Sequence, residues 1–329
     1  MLVAVTGATG HVGATLTRAL VARGDKVRAF YRNGEENLRG VDCERIVGDI
    51  RDPESVDKAV RGAEVVYHLA AKISIDRVDP DVVPINVGGV ETITEASLRH
   101  GVRRFIHFSS IHAFAIEPAQ DVLDENRALN DEHDLSQPPY DRSKASGHRV
   151  VKRAVSRGLD AVVLHPAGII GPNDFGPSKM GRILLSVARK QLPGVVNGGF
   201  SWVDVRDVVD AALAAETAGR NGENYLLSGN WHSIREVADV TAEVAGVRSP
   251  LLNTPMWIAR AIAPLAVGAA KVMGGEPFVT GVALHALRIH RHTSHEKANR
   301  ELGFSPRPIR QTLADTIAWY REAGMLKGS

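Results

Sequence analysis

A doubly wound parallel β-sheet joined to a smaller, mostly helical region is the α/β architecture that this 329-residue sequence predicts. Two observations carry it. From residue 1 to about 110, short apolar runs alternate with helix-length segments, the pattern of right-handed strand-helix-strand units. A glycine-rich turn, Thr6-Gly7-Ala8-Thr9-Gly10-His11-Val12-Gly13, closes the first run and opens the first helical stretch.

Taken in order, Leu2–Thr6, Val27–Tyr31, Glu44–Val47, Val65–Leu69 and Arg104–Ser109 read as buried strands, with Asp160–Leu164 and Asn224–Leu227 following. The stretch Gly171–Phe200 is rich in Gly and Pro and reads as a loop-dominated insertion. Helical periodicity returns at Val205–Glu216, Ser233–Ala245, Pro255–Met273 and Ile309–Ala323. The expected organisation is a sheet-bearing unit of residues 1–170 plus about 200–229, and a discontinuous substrate unit of about 171–199 and 230–329, parts of which return to the first.

Composition excludes several functions. Forty basic against 38 acidic side chains give a formal charge of +2, too weak a field to select nucleic acid. The basic run Arg288–Arg291 is short, lacks interleaved aromatics and reads as a solvated helix end. Cys43 is the sole cysteine, so no internal disulfide or multi-cysteine metal site can form, which fits a reducing, cytoplasmic compartment. The opening MLVAVTGATG has no signal-peptide pattern and runs into a strand. The longest apolar tract, Ala261–Ala270, is about half of the ~20 residues that span a bilayer, so no stable membrane insertion is expected. His285, His290, His292 and His295 lack the spacing of a zinc-binding helix, and no metal is expected.

Glycines at 7, 10 and 13 sit where a turn must be tight and a pyrophosphate must approach backbone. The following helix supplies free N–H groups and the positive end of its dipole, so Gly7, Thr9, Gly10, His11, Val12 and Gly13 are candidate dinucleotide-binding residues. The second strand ends Val27-Arg28-Ala29-Phe30-Tyr31-Arg32, without the carboxylate that would accept from a ribose 2′-OH. Arg32 stands where a 2′-phosphate would be paired, so NADP(H) is preferred over NAD(H), which remains possible. Asp49 and Ile50, just past the third strand, are candidates to accept from the adenine amino group and to cover its ring, with a helix cap as the alternative for Asp49.

Tyr140 and Lys144, four residues apart on a helix starting near Pro138 and Pro139, share one face, so they can meet one substrate carbonyl and one nicotinamide ribose and are candidate cofactor-binding as well as catalytic residues. A phenol is a poor base at neutrality, but a nearby cation favours its ionised form and makes proton exchange with an alcohol or carbonyl feasible. Ser110, at the carboxyl edge of the sheet with Ser109 as fallback, would orient the reacting oxygen.

Through TGATGHVG at 6–13, GDI at 48–50, HLAA at 68–71, FSSIHAF at 108–114, YDRSK at 140–144 and HPAGIIGP at 165–172, the sequence resembles the extended short-chain dehydrogenase/reductase family, whose core is a Rossmann fold. FSWVDVRDVV at 200–209 and ANRELGFSPRP at 298–308 extend the similarity over nearly the whole chain. The resemblance implies a catalytic triad of Ser110, Tyr140 and Lys144, with Ala70 and Ala71 along the cofactor, Pro166 lining the nicotinamide pocket, and Asn86 structural or part of a proton relay. It also implies a homodimer. VRAFYR at 27–32 looks like the NADP-using branch with dihydroflavonol reductases, and FSSIHAF is similar to 3β-hydroxysteroid dehydrogenases. Phe114-Ala115 replaces the Tyr-Gly pair usual in sugar-nucleotide epimerases and dehydratases, which remain the alternative.

For a small-molecule substrate, His112, Phe114, Asn173, Phe175 and Trp202 are the candidate contacts, with the apolar helix around Trp257 closing over the site. The expected activity is hydride transfer between nicotinamide and a ketone or secondary alcohol of a hydrophobic molecule.

Overall fold

Seven parallel strands in the order β10-β6-β5-β4-β1-β2-β3 form the central sheet of the computed structural model, which describes residues 1–74, 78–118, 121–263, 281, 284, 287 and 292–326. These strands are β1 (Leu2–Thr6), β2 (Lys26–Tyr31), β3 (Glu44–Val47), β4 (Val65–His68), β5 (Arg104–Phe108), β6 (Ala161–Pro166) and β10 (Asn224–Leu227). All seven coincide with strands expected from the sequence, and six are largely covered on both faces as apolar runs of a parallel sheet should be; β3, expected as buried, is instead the sheet's exposed edge, with Glu44, Arg45 and Val47 exposed because no strand pairs beyond it. In β1, Val3 and Val5 enter one core cluster and Ala4 the other, the alternation that a pleated strand imposes. Val3 pairs in register with Val27 on one side and Val65 on the other.

Helices α1 (His11–Ala22) and α6 (Val205–Ala215) cover the first face. Helices α2 (Pro53–Val60), α3 (Gly89–Arg99) and α4 (Pro139–Ser156) cover the second. α4 starts behind Pro138, where prolines lose nothing because the first-turn N–H groups have no intrahelical acceptor.

The segment 171–200 differs from its sequence reading. It contains α5 (Lys179–Ala188), started by Ser178, whose Oγ accepts from Gly181 N at 3.0 Å. Leu184, Leu185 and Val187 are buried with α7 (Ile234–Ala245) and the C-terminal helix Ile309–Glu322 in a third core. The flanking Gly and Pro masked a helix that tertiary burial stabilises. Strands β7 (Gly168–Ile170), β9 (Gly199–Asp204) and β11 (Trp231–Ser233) form a small sheet, and β8 (Gly194–Val196) pairs with β12 (Leu252–Thr254).

Of the reading Pro255–Met273, residues 256–263 are helical and the remainder lies outside the described residues, as do His285, His290 and Arg288–Arg291. Among the described residues no helix is long and apolar enough to cross a membrane. After residue 295 the chain returns to the first core. Ala298, Leu302 and Phe304 join Tyr225 there, and Arg307 pairs with the buried Asp207 of α6.

Candidate active site

The turn between β1 and α1 is shaped by its glycines. Gly7 has φ +68, and a Cβ there would lie 2.8 Å from the backbone N of Ala70. A Cβ at Gly13 would run into the Gly7 carbonyl. Gly10 caps α1 without any side-chain acceptor, so no side chain covers the helix's first N–H groups at a partly exposed crest formed by Gly10, His11 and Val12. A pyrophosphate fits such a terminus. Gly13→Ala is therefore expected to cost about 1–3 kcal/mol of stability through overpacking against backbone, with weakened dinucleotide binding. Chemical denaturation and an NADPH titration read the two effects.

Thr9 donates to Asn33 O at 2.8 Å and its own carbonyl accepts from Asn37 at 2.9 Å, which fixes the loop after β2 against the glycine turn. His11 Nε2 donates to Pro172 O at 2.9 Å, tying the turn to the segment after β7. Thr6 Oγ1, unremarked in the sequence, bonds His68 Nδ1 at 2.7 Å and accepts from Leu69 and Ala70 N at 3.2 and 3.3 Å. It thereby aligns the ends of β1 and β4 and orients the Ala70-Ala71 turn.

At the end of β2, Arg32 is exposed and forms no hydrogen bond or ion pair with the described residues. Glu35, which could have neutralised it, is held by Arg45 at 2.9 Å instead. Arg28 is committed elsewhere, to Glu44 and to carbonyls at the end of α2. Both oxygens of Asp49 are gripped by Arg51, at 2.9 and 2.7 Å, and these hydrogen bonds hold the carboxyl down at about 2. The helix-cap alternative for Asp49 is corrected: Asp52 caps α2, accepting from Glu54 N and Ser55 N. Ile50 is buried against Gly89.

The sheet's carboxyl edge brings Ser110, Tyr140 and Lys144 together. Ser110 follows β5, is 7% exposed, and its Oγ accepts from His112 N at 3.2 Å. The Tyr140 hydroxyl lies near Ser110, close enough for the serine to favour its ionised form. Burial pushes the Tyr140 hydroxyl above its ordinary value; the Ser110 contact works the other way, and the charge of Asp141 adds to the rise. Lys144 is buried, donates to Phe108 O at 3.0 Å, and is lowered by burial to about 8. Ser109, the fallback, lies under Lys144 with Oγ 3.5 Å from its carbonyl. Asn86 is an anchor: its amide grips Lys72 N and O at 2.7 and 3.0 Å and Ser143 Oγ at 3.0 Å, joining the turn after β4 to α4. Pro166 is buried as the last residue of β6.

Beneath this edge lie four buried histidines that the sequence reading passed over. His68, His107 and His165 are on β4, β5 and β6, and His148 is on α4. His68 stacks on His107 at 5.3 Å and His148 lies 5.1 Å from His165. Burial, aided by neighbouring cations, pushes all four down, His68 to about 3 and His148 to about 4. Neither ring nitrogen of His107 has a protein hydrogen-bond partner.

Several expected substrate contacts are corrected. Trp202 is 3% exposed in β9, with its indole N–H on His232 O at 3.0 Å, so it packs the third core. Phe114 is 1% exposed and packs against His165 at 4.6 Å, because the turn after Ser110 folds it inward. Phe175 lies between the Arg18 guanidinium, 4.5 Å from its ring, and Trp319 at 5.0 Å, a latch between α1 and the C-terminal helix. Asn173, at φ +66, supplies the left-handed turn leading to the buried Asp174. Trp257 is largely exposed on the helical residues 256–263. Of these six, His112 is the one that adjoins the candidate catalytic side chains, its ring 5.9 Å from that of Tyr140.

Residues 3–228 match the model of the NAD dependent epimerase/dehydratase family. The chain is 37% identical to sterol demethylase protein B of Methylococcus capsulatus, over 99% of this chain and 100% of that one. It is 30% identical to a putative dihydroflavonol 4-reductase of Synechocystis, over 98% and 95%. Among solved structures, gox2253 superposes with a TM-score of 0.83 and 31% identity, each chain covered to 99%.

Proposed function

From the premise that the chain belongs to the NAD-dependent epimerase/dehydratase family, and is an oxidoreductase of the extended short-chain dehydrogenase/reductase type, we propose that it is an NADP-dependent enzyme acting on a ketone or secondary alcohol of a hydrophobic small molecule. The observation that carries this reading is the meeting of Ser110, Tyr140 and Lys144 at the sheet edge beside the glycine turn. The names of two relatives, one carrying a sterol and one a dihydroflavonol, support a hydrophobic substrate.

The nicotinamide, when bound, supplies or accepts the hydride. Tyr140 gives its proton to the carbonyl oxygen in reduction and recovers it in oxidation. A hydroxyl whose pKa is raised stays protonated at neutral pH, the form that reduction requires. Ser110 Oγ orients the reacting oxygen, and the Lys144 ammonium, fixed by Phe108 O, favours the phenolate as the proton leaves. Gly7, Thr9, Gly10, His11, Val12 and Gly13 would hold the pyrophosphate, Asp49, Ile50, Ala70, Ala71 and Pro166 the rest of the dinucleotide, and Arg32 a 2′-phosphate.

The unpaired Arg32 supports NADP(H). Fluorescence titration of cofactor-stripped protein is expected to show at least a tenfold preference for NADPH over NADH, about 1.4 kcal/mol, and Arg32→Ala is expected to remove most of it. A preference for NADH, or NAD retained through purification, would instead favour a sugar or nucleotide-sugar epimerase. The reading includes a homodimer in the cytoplasm, supported there by the lone Cys43, and a cofactor unit of residues 1–170 and about 200–229 beside a substrate unit of about 171–199 and 230–329.

A further inference from the structure

Ser110 stands just past the end of the sheet's backbone ladder. The rung before it runs from Ser109 N to Leu164 O at 2.8 Å. For Ser110 a side chain takes over: His165, the next residue on β6, has Nδ1 2.9 Å from Ser110 O. The other bonds of Ser110 stay within its own turn, Ala113 N donating to its carbonyl at 3.0 Å and His112 N to its Oγ at 3.2 Å. They shape the turn without locating it. Asn130 holds the turn's far end, at Ala113 O and His112 O, so among the described residues His165 is the hydrogen-bond tie between the Ser110 backbone and the sheet.

A carbonyl only accepts, so the proton of His165 is on Nδ1 and Nε2 is the bare nitrogen. The ring is fully buried, and Nε2 has no protein hydrogen bond. Burial, with the charge of neighbouring cations, pushes its pKa well below the ordinary value although the Ser110 bond works the other way, so the ring donates as a neutral imidazole. Phe114 packs on it at 4.6 Å and His148 at 5.1 Å. Phe114 ends the serine turn, and His148 lies one helical turn beyond Lys144 on α4. The imidazole is therefore in contact both with the element that carries Ser110 and with the helix that carries Tyr140 and Lys144. In a close-packed interior a ring so enclosed has one place to be, and its N–H fixes the serine against that helix.

We propose that His165 is a positioning residue for the reaction: by holding the Ser110 carbonyl it sets where Ser110 Oγ meets the reacting oxygen, relative to Tyr140. The inference rests on the hydride-transfer reading for the role of Ser110. A serine shifted by a fraction of an ångström alters the orientation of the reacting oxygen, which enters the rate through kcat, while the glycine turn that receives the dinucleotide is untouched.

The first test reads the bond itself. In wild-type protein isotope-labelled at the histidine ring nitrogens, NMR is expected to show an imidazole that is protonated on Nδ1, exchanges its proton slowly, and is missing from both His165→Phe and His165→Asn, which assigns it. A His165 ring protonated on Nε2 overturns the proposal. The second test is NADPH oxidation with 2-decanone, an apolar ketone. His165→Phe keeps the ring's bulk and removes the donor, and is expected to lower kcat at least tenfold with NADPH affinity unchanged. His165→Asn, whose Nδ2–H can take the place of the imidazole Nδ1–H, should recover most of that loss. In a Ser110→Ala background His165→Phe should cost nothing further, because its effect passes through the serine. Wild-type turnover in His165→Phe, folded by circular dichroism, overturns the proposal, and so do equal losses with and without Ser110, the mark of a merely structural role. Ser110→Ala as active as the wild type would remove the serine's role in hydride transfer and the proposal with it. A wild type that leaves the ketone unreduced counts against the hydride-transfer reading, and the imidazole proton then decides whether His165 holds the serine turn.

Discussion

Tyr140→Phe is expected to lower kcat for ketone reduction by about 10²–10⁴-fold, the usual contribution of a positioned acid or base. The substitution removes only the hydroxyl that meets Ser110, and the ring keeps its place against His112. NADPH affinity should therefore stay within about twofold of the wild type. Because the hydroxyl has no short hydrogen bond to lose among the described residues, stability should change by less than about 1 kcal/mol, too little to unfold the enzyme at assay temperature. Steady-state NADPH oxidation on an identified ketone, with a fluorescence titration of the same protein, separates chemistry from binding. Turnover near the wild-type rate would exclude Tyr140 as the proton donor.

The second large effect is on stability against acid. His68, His107, His148 and His165 are neutral in the folded protein and pushed below the ordinary 6.5 by burial. The unfolded chain takes up these protons as pH falls below 6.5 and the folded one does not. Their contribution is complete above pH 6.5 and is lost as pH falls, down to about 4 for His148 and about 3 for His68. Each site costs about 1.4 kcal/mol per pH unit inside its window. His112, raised by Asp141, acts with the opposite sign, since its contribution is present below 6.5 and lost above its raised value. The net expectation is a steep fall in stability between pH 7 and 5, read by urea unfolding at fixed salt. His107→Phe, which replaces a ring whose nitrogens have no protein hydrogen-bond partner by one of similar shape, should be neutral or stabilising at pH 7. Its slope between pH 6 and 5 should be shallower by about 1.4 kcal/mol per unit. Stability that is flat from pH 7 to 5 would show that the cluster accommodates protons in the folded state.

The seven-strand sheet was legible because its inner strands are buried on both faces, so that β1 and β4 appear as unbroken apolar runs, whereas the exposed edge β3 was read from its place in the alternation. Ser110, Tyr140 and Lys144 were legible for a related reason: strand end and helix face are periodic features with fixed offsets. Where the sequence misled, pairing over long distances decided. Nothing local distinguishes Trp202 as a core residue, since its burial comes from β11 some 30 positions away. Phe175 owes its place to Arg18 and Trp319, each more than 140 positions from it and on either side of it. The helix α5 was hidden by the Gly and Pro around it, although Leu184, Leu185 and Val187 carry its buried face. The contact of Asp141 with His112 could not be read at all, because His112 lies on another element.

The late return of residues 296–308 to the sheet has a consequence during synthesis. A nascent chain that has just completed β10 already holds all seven strands. It does not yet hold Ala298, Leu302 and Phe304, which close the core over Tyr225, or Lys297, which bonds Asn224 O at 2.8 Å. At ~5–20 residues per second, the roughly 70 residues between leave the Tyr225 end of that face, beyond α1 and α6, incompletely covered for several seconds. The vulnerable interval of this protein's life is thus set by translation speed, and synonymous codons between β10 and residue 296 are a lever on its yield.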